Sequence, residues 1–209
     1  YTSAAKKILS NEIYEPKTID YIVTHCGMGD IVHAGTYFGD FLPALSQSVG
    51  KEAKIWAFEP NHENYRCAKI TLELNGIENI VLTNAGLGST LGKAFVRTKN
   101  DKGISLGGSS YVIKIENDDT QKINIVNVDD IIPNDRKVSI IHLDIEGYEK
   151  EALIGAFNTI NRCYPVLILE DLPNNPLLRG TWFKNNIIRL GYKLEMEIYR
   201  NKVYSCGPF

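Results

Sequence analysis

Residues 31–41 read IVHAGTYFGDF. A short β-type run meets Gly35, a second glycine follows at Gly39, and residues 38–50 carry a helical pattern. A strand that turns through glycine into a helix opens the sheets that hold nucleotide-like ligands. Glycine tolerates positive φ and lets a ligand come close, and a helix N-terminus leaves N–H groups unpaired.

Outward from this stretch, strand and helix patterns alternate. AKIWAFE (53–59) is a second strand, and NHENYRCAKITLELNG (61–76) is its helix, capped by Asn61 and closed by Asn75-Gly76. ENIVLTNAG (78–86) is a third strand. VSIIHLD (138–144) and PVLILED (165–171) are buried parallel-type strands, followed by helical patterns over 148–160 and 181–191. The tail, 192–207, alternates and breaks at Arg200-Asn201-Lys202, as a β-hairpin does. Residues 88–128 hold extra strand patterns around a Gly/Ser-rich loop, an expected β insertion, and residues 1–25 are expected to form a cap. The prediction is one α/β domain over residues 1–209, with a mostly parallel sheet and helices on both faces.

Bulk composition narrows the function. The chain has 209 residues, 44% hydrophobic and 23% charged, with a net charge of −2. That balance encodes no general attraction to nucleic acid or to an anionic membrane, so neither is expected as a partner. No apolar run has the length of a membrane span, and residues 1–17 lack a signal-peptide core. Cys26, Cys67, Cys163 and Cys206 lie far apart without metal-type spacing. Free thiols and a cytoplasmic location are expected.

In such sheets the ligand lies beyond the carboxyl ends of the strands. The first strand ends at Ala34-Gly35-Thr36-Tyr37-Phe38-Gly39. The second ends at Phe58-Glu59-Pro60, and Glu59 lies 20 residues beyond Gly39, where an acid accepts hydrogen bonds from a ribose diol. The third ends at Asn84-Ala85-Gly86, small enough for an adenine edge that Asn84 could bind. The fourth ends at Asp144-Ile145-Glu146-Gly147-Tyr148-Glu149. Asp144 and Glu146, two apart, face one side of an extended backbone; Glu149 stabilises the next helix start. Glu170-Asp171 close the fifth strand, on the pocket rim or in a solvated loop.

A nicotinamide cofactor asks for GxGxxG under its pyrophosphate. Here His33, Gly35 and Phe38 stand at those places, so only the middle glycine survives. S-adenosylmethionine has no phosphate and needs a glycine turn, a ribose acid and an adenine slot, all of which are present. AGTYFGDF, IWAFEPNHENYRCAKITLELNG, TNAGLG, NVDDI, IIHLDIEGYEKEALIGA and PVLILED, in that order over about residues 30–171, resemble the FkbM family of methyltransferases. The resemblance implies a Rossmann-like class I fold, a seven-stranded sheet with an antiparallel last strand, and S-adenosyl-L-methionine as cofactor. It also implies O-methylation of a sugar or natural-product hydroxyl, hence a hydroxylated small-molecule partner. Carried over by position, Gly35 and Gly39, with His33, Thr36, Tyr37 and Phe38, form the methionine turn. Glu59 with Pro60 takes the ribose, Asn84 and Ala85 lie near adenine, and Asp144 and Glu146 border the methyl group and the acceptor. His33 stands where members commonly carry an acid, and His142 where they carry a lysine.

Glu146 is the first candidate base for an acceptor hydroxyl, with His142 and His25 behind it, and Asp144 offsets the sulfonium charge. Asp144, Glu146 and Glu170 are hard oxygen donors, but acid clusters more often serve without an ion, and no metal is expected. The loop 107–111 reads as a surface loop or a lid, Trp56 as core, and Trp182 as packing or pocket lining. Residues 1–25, 88–128 and 172–185 are expected to shape the acceptor pocket. The alternatives are a cofactor-binding module without turnover and a nicotinamide-dependent oxidoreductase.

Overall fold

The computed structural model describes residues 3–113, 115–173 and 175–207. Its larger sheet has seven strands: β1 (Asp30–Ala34), β2 (Ile55–Phe58), β3 (Ile80–Thr83), β8 (Val138–Leu143), β9 (Val166–Glu170), β10 (Lys193–Ile198) and β11 (Asn201–Ser205). The order is β10-β11-β9-β8-β1-β2-β3, with β1, β2, β3, β8 and β9 parallel and β11 inserted antiparallel between β9 and β10. The antiparallel last strand is thus present. The hairpin turns at Tyr199-Arg200, one residue before the expected break, with Ile198 paired to Asn201. β10 is the edge, and its exposed Lys193, Glu195 and Glu197 discourage further pairing.

A second sheet fills the insertion: β4 (Gly86–Leu87), β5 (Gly92–Arg97), β6 (Tyr111–Ile113) and β7 (Thr120–Val126), in the order β4-β7-β5-β6. It takes in Gly86–Leu87, ahead of the expected start at residue 88, because that dipeptide pairs with Ile125 and Val126 rather than extending β3.

Strand alternation sends residues to two cores. Val32, Ala34, Ile141, Leu143, Leu167 and Leu169 join Leu153, Ile160 and Phe183 on one face. Ile31, Ile140 and Ile168 join Ile19, Ile22 and Leu45 on the other. By the same alternation His33, His142, Asp144 and Glu170 belong to the second face. At the opposite end of the sheet, buried Asp30 anchors the strands. It accepts from Lys54 N (2.8 Å), Trp56 Nε1 (2.8 Å) and Arg136 Nε (2.9 Å). Trp56 is half-buried against the first core.

The helices are α1 (Ser3–Leu9), α2 (Pro16–His25), α3 (Leu42–Ser48), α4 (His62–Leu74), α5 (Val128–Ile131), α6 (Glu149–Ile154), α7 (Phe157–Cys163) and α8 (Thr181–Asn186). Asn61 caps α4 as expected, accepting from the N–H groups of Glu63 and Asn64. Two expectations fail. The first helix begins at Leu42, not near Phe38, because Gly39 holds φ +87° and packs within van der Waals reach of Ala68 on α4. The helix after β8 is two helices broken at Gly155-Ala156; a Cβ on Gly155 would stand 2.0 Å from the Gly88 carbonyl oxygen. All four cysteines are free thiols, and among the described residues no helix is long and apolar enough to cross a membrane.

Candidate active site

Two adjoining cavities lie beyond the strand ends. A slot of about 450 Å³, including its open mouth, is lined by Ala34, Gly35, Glu59, Pro60, Ala85 and Gly86, among others. A larger cleft of about 1180 Å³, also counted with its mouth, is lined by Glu15, Asp40, Asp144, Glu146, Glu170 and Arg200, among others. Gly35, Gly108 and Asp144 border both.

Gly35 makes the junction. Its φ is +85°, and a Cβ there would lie 1.8 Å from the Asp144 carbonyl oxygen. The turn is held by Gly35 N and Thr36 N donating to Phe58 O (3.2 and 3.3 Å), and by Asp144 N donating to Ala34 O (3.1 Å). Only glycine lets the end of β1 sit this close to the end of β8.

Glu59 sits on the slot wall, 4% exposed. Its Oε2 accepts from Tyr37 N (2.8 Å); its Oε1 accepts from Asn61 N (2.8 Å) and Asn64 Nδ2 (3.5 Å). Burial pushes its carboxyl up to about 7 despite these donors. A carboxylate offers about four acceptor positions, so Oε2 keeps one for a ligand hydroxyl. Pro60 and Ala85 line the slot as expected. Asn84 does not: its Nδ2 donates to Glu59 O (2.8 Å) and Pro60 O (3.2 Å), tying β3 to β2. Thr36 and Phe38 are absent from both linings. Thr36 is buried, and the Phe38 carbonyl accepts from Thr71 Oγ1 at 2.7 Å.

The loop 107–110 is docked over the junction. Asn64 Nδ2 donates to Gly107 O (3.2 Å), Asn61 Nδ2 to Ser110 Oγ (3.2 Å), and Gly108 packs on the Tyr37 ring. The loop thus covers the junction from the surface, with Gly108 and Ser109 exposed.

The cleft gathers acids. Asp144, Glu146 and Glu170 have carboxylate oxygens all within 4.8 Å of one another. Burial is the first cause that raises each above the usual carboxylate range. For Asp144, the neighbouring Glu170 adds to it; Glu170 reaches about 7, with Glu146 adding. Glu146 holds φ +53°, uncommon for a side chain of its size, and a Ser109 hydrogen bond moderates its shift. Glu149, fully buried, fixes this turn. It accepts from Ile145 N (3.2 Å), Gly147 N (3.1 Å) and Asn175 Nδ2 (2.7 Å). Asp171 points elsewhere, paired with Arg179 and Lys202.

His33 and His142 lie side by side in register, both buried, with Nδ1 atoms 2.8 Å apart and rings stacked on Phe41. Only one Nδ1 can carry the shared hydrogen. Burial pushes His33 down to about 4, and His142 well below its ordinary value, with His33 adding. A histidine held neutral this strongly is a weak base, so His142 is a wall residue and the carboxylates are the better proton acceptors. His25 is excluded from the site by position. It ends α2 below the strands, stacked on Tyr21, with Nδ1 2.8 Å from Tyr21 O.

Sequence reasoning missed Glu15, Asp40, Tyr199 and Arg200, which line the cleft. Asp40 follows Gly39 directly and carried a signal; burial pushes it up to about 6. Glu15 carried none. The N-terminal segment and the insertion do shape the cleft, through Ala4, Lys7, Tyr14, Glu15, Gly108 and Ser109. Among the described residues, none of 172–185 borders either cavity; Trp182 packs on the first core, with Lys150 Nζ 5.9 Å from its ring centre.

A Gly35 turn, a mostly uncharged slot and a carboxylate with one free acceptor position fit S-adenosylmethionine. Comparisons with known proteins agree. The methyltransferase FkbM domain model matches residues 33–186. No curated protein matches the sequence. Methyltransferase FkbM from Methylobacillus flagellatus KT is similar in structure, with a TM-score of 0.59, 19% identity, and coverage of 85% of this chain and 43% of that one. This chain therefore spans less than half the length of that protein. A SAM-dependent methyltransferase from Aquifex aeolicus has a TM-score of 0.50 and 14% identity over 98% of each chain. An rRNA methylase from Streptococcus thermophilus has a TM-score of 0.51 and 12% identity over 90% of this chain and 92% of its own. At these identities the structures establish the Rossmann-like methyltransferase fold, and the domain match establishes the family: the chain belongs to the FkbM methyltransferases, and its cofactor is S-adenosylmethionine.

Proposed function

We propose that this chain is an O-methyltransferase acting on a hydroxyl of a sugar- or natural-product-like small molecule. The observation that carries the reading is that the two cavities adjoin, sharing Gly35, Gly108 and Asp144 in their linings. A ligand in the slot lies next to a cleft walled by acids. Carboxylates accept hydrogen bonds from hydroxyls and repel phosphates, which favours a polyol-like acceptor over nucleic acid.

S-adenosylmethionine supplies the methyl group and the sulfide leaving group. Gly35 and Tyr37 would hold its amino-acid end through the turn, Glu59 would take the ribose, and Ala85 and Gly86 would flank the base. Asp144, at the junction, offsets positive charge. Glu146 accepts the acceptor proton as the new C–O bond forms; its raised pKa keeps it basic enough to do so near neutral pH. The docked 107–110 loop excludes water. Release of S-adenosylhomocysteine across a panel of hydroxylated metabolites tests the proposal. Stimulation by polyols, lost in Glu146→Gln, is expected. Tight cofactor binding with no release for any acceptor would favour a binding module instead.

A further inference from the structure

We propose that Asp144, Glu146 and Glu170 form a binding site for one hard divalent cation, contrary to the sequence expectation of no metal. Acidic side chains that meet by chance on a surface stay hydrated. These three meet in a cleft wall, with ligand oxygens within 4.8 Å of one another. Oxygen donors on opposite sides of one Ca²⁺ stand about 5 Å apart and those around Mg²⁺ about 4 Å, so the spacing suits one ion.

A second observation points to a missing ligand. Glu170 is 7% exposed, and its Oε2 is buried without any hydrogen-bond partner. A buried carboxylate oxygen left unanswered is costly. Within the cluster Asp144 hydrogen-bonds Glu170, and the Arg200 charge acts on Glu170, yet Oε2 itself is left without a partner. Lys7 is paired with Glu12, and among the described residues Arg200 forms no ion pair with the three acids. Asn175 donates to Glu149, and Ser109 to Glu146. Elsewhere in the molecule, buried acids such as Asp30 and Glu59 are answered by arginine, indole or backbone N–H groups. Glu170 Oε2 has no partner of that kind, and an ion would supply one.

The three residues come from two adjacent strand ends. Leu143 and Leu169 are paired in register, so Asp144 and Glu170 follow side by side, and the positive φ of Glu146 turns the chain back toward them. The set is all oxygen, as Mg²⁺, Ca²⁺ and Mn²⁺ prefer, with no thiol or imidazole to favour zinc or copper. Three protein ligands leave coordination positions for water or for an acceptor oxygen. A hydroxyl bound there gives up its proton more easily, and the second carboxylate oxygen of Glu146 is placed to take it. That catalytic consequence rests on the methyl-transfer reading; the cation site does not.

The test is titration of metal-stripped protein with Mn²⁺, read by the electron paramagnetic resonance of free ion, alongside calorimetric titration with S-adenosylhomocysteine on the same samples. One Mn²⁺ per chain is expected, displaced by Mg²⁺ or Ca²⁺. Affinity should fall at least ten-fold in Glu170→Gln and in Glu146→Gln, and stay unchanged in Glu78→Gln. Glu146 is half-buried, so that variant remains informative if Glu170→Gln folds poorly. No stoichiometric Mn²⁺, or equal binding by all variants, overturns the site and leaves a shared proton between Asp144 and Glu170 as its occupant. Loss of S-adenosylhomocysteine binding with Mn²⁺ binding intact would overturn the cofactor reading and not this one.

Discussion

The two sides of the strand-end rim treat buried charge differently. On the β2–β3 side, Glu59 is answered by Tyr37 N, Asn61 N and Asn64 Nδ2, and apart from Asp144 at the junction the rest of the slot is lined by uncharged residues. On the β8–β9 side, Asp144, Glu146 and Glu170 crowd together, and Glu170 Oε2 has no partner. A carboxylate fixed by three donors is rigid and suits recognition of a constant ligand. An unsatisfied cluster holds free energy that a proton, an ion or a reacting group can release. The rim thus divides into a holding side and a reacting side, joined at Gly35.

The joint is the place to break this division with the largest effect. Gly35→Ala puts a Cβ 1.8 Å from the Asp144 carbonyl oxygen, at a φ of +85°. A destabilisation of about 4–5 kcal/mol, a melting temperature lower by roughly 10 °C or more, and loss of cofactor binding are expected by calorimetry. Next, Glu146→Gln acts on the reacting side alone. Turnover should fall about 10²-fold or more, with the melting temperature nearly unchanged.

The histidine pair tests the boundary between them. His33 lies well below its unfolded value, at about 4, because burial disfavours the charged ring, and His142 shifts the same way. Depressed histidines support stability above pH 6.5 and lose it as pH falls toward 4. His33 alone accounts for about 3 kcal/mol over that window. The double variant His33→Phe, His142→Leu should therefore flatten the acid limb of a melting-temperature profile; an unchanged limb would show that the rings are charged in the folded protein. The smallest effect belongs to Asn84→Ala, which removes a strut rather than a ligand contact. A loss of about 1 kcal/mol in stability is expected in urea unfolding, with cofactor affinity within a few-fold of the parent.

How much of this was legible follows from what is local. Runs such as VSIIHL and VLILE announce buried strands, Asn61 announces its cap, and the spacing from Gly39 to Glu59 announces an acid on the slot wall. The late start of α3 was hidden, because it depends on Gly39 meeting Ala68 across the fold. So was the break at Gly155, which depends on Gly88. Asp144 and Glu146 were readable as a pair, but their convergence with Glu170 needs the β8–β9 register. Glu15 reaches the cleft from the N-terminal segment, held by Thr18 and Asn201, and no local pattern encodes that approach.

The division of the rim stands or falls on one measurement: calorimetric titration of S-adenosylhomocysteine into the parent protein, Glu59→Gln and Glu146→Gln. The account expects about ten-fold weaker binding in Glu59→Gln, the loss of a hydrogen bond to a charged acceptor, and affinity within two-fold of the parent in Glu146→Gln. Unchanged binding in Glu59→Gln together with a large loss in Glu146→Gln would contradict it, because the holding side would then be the acid cleft.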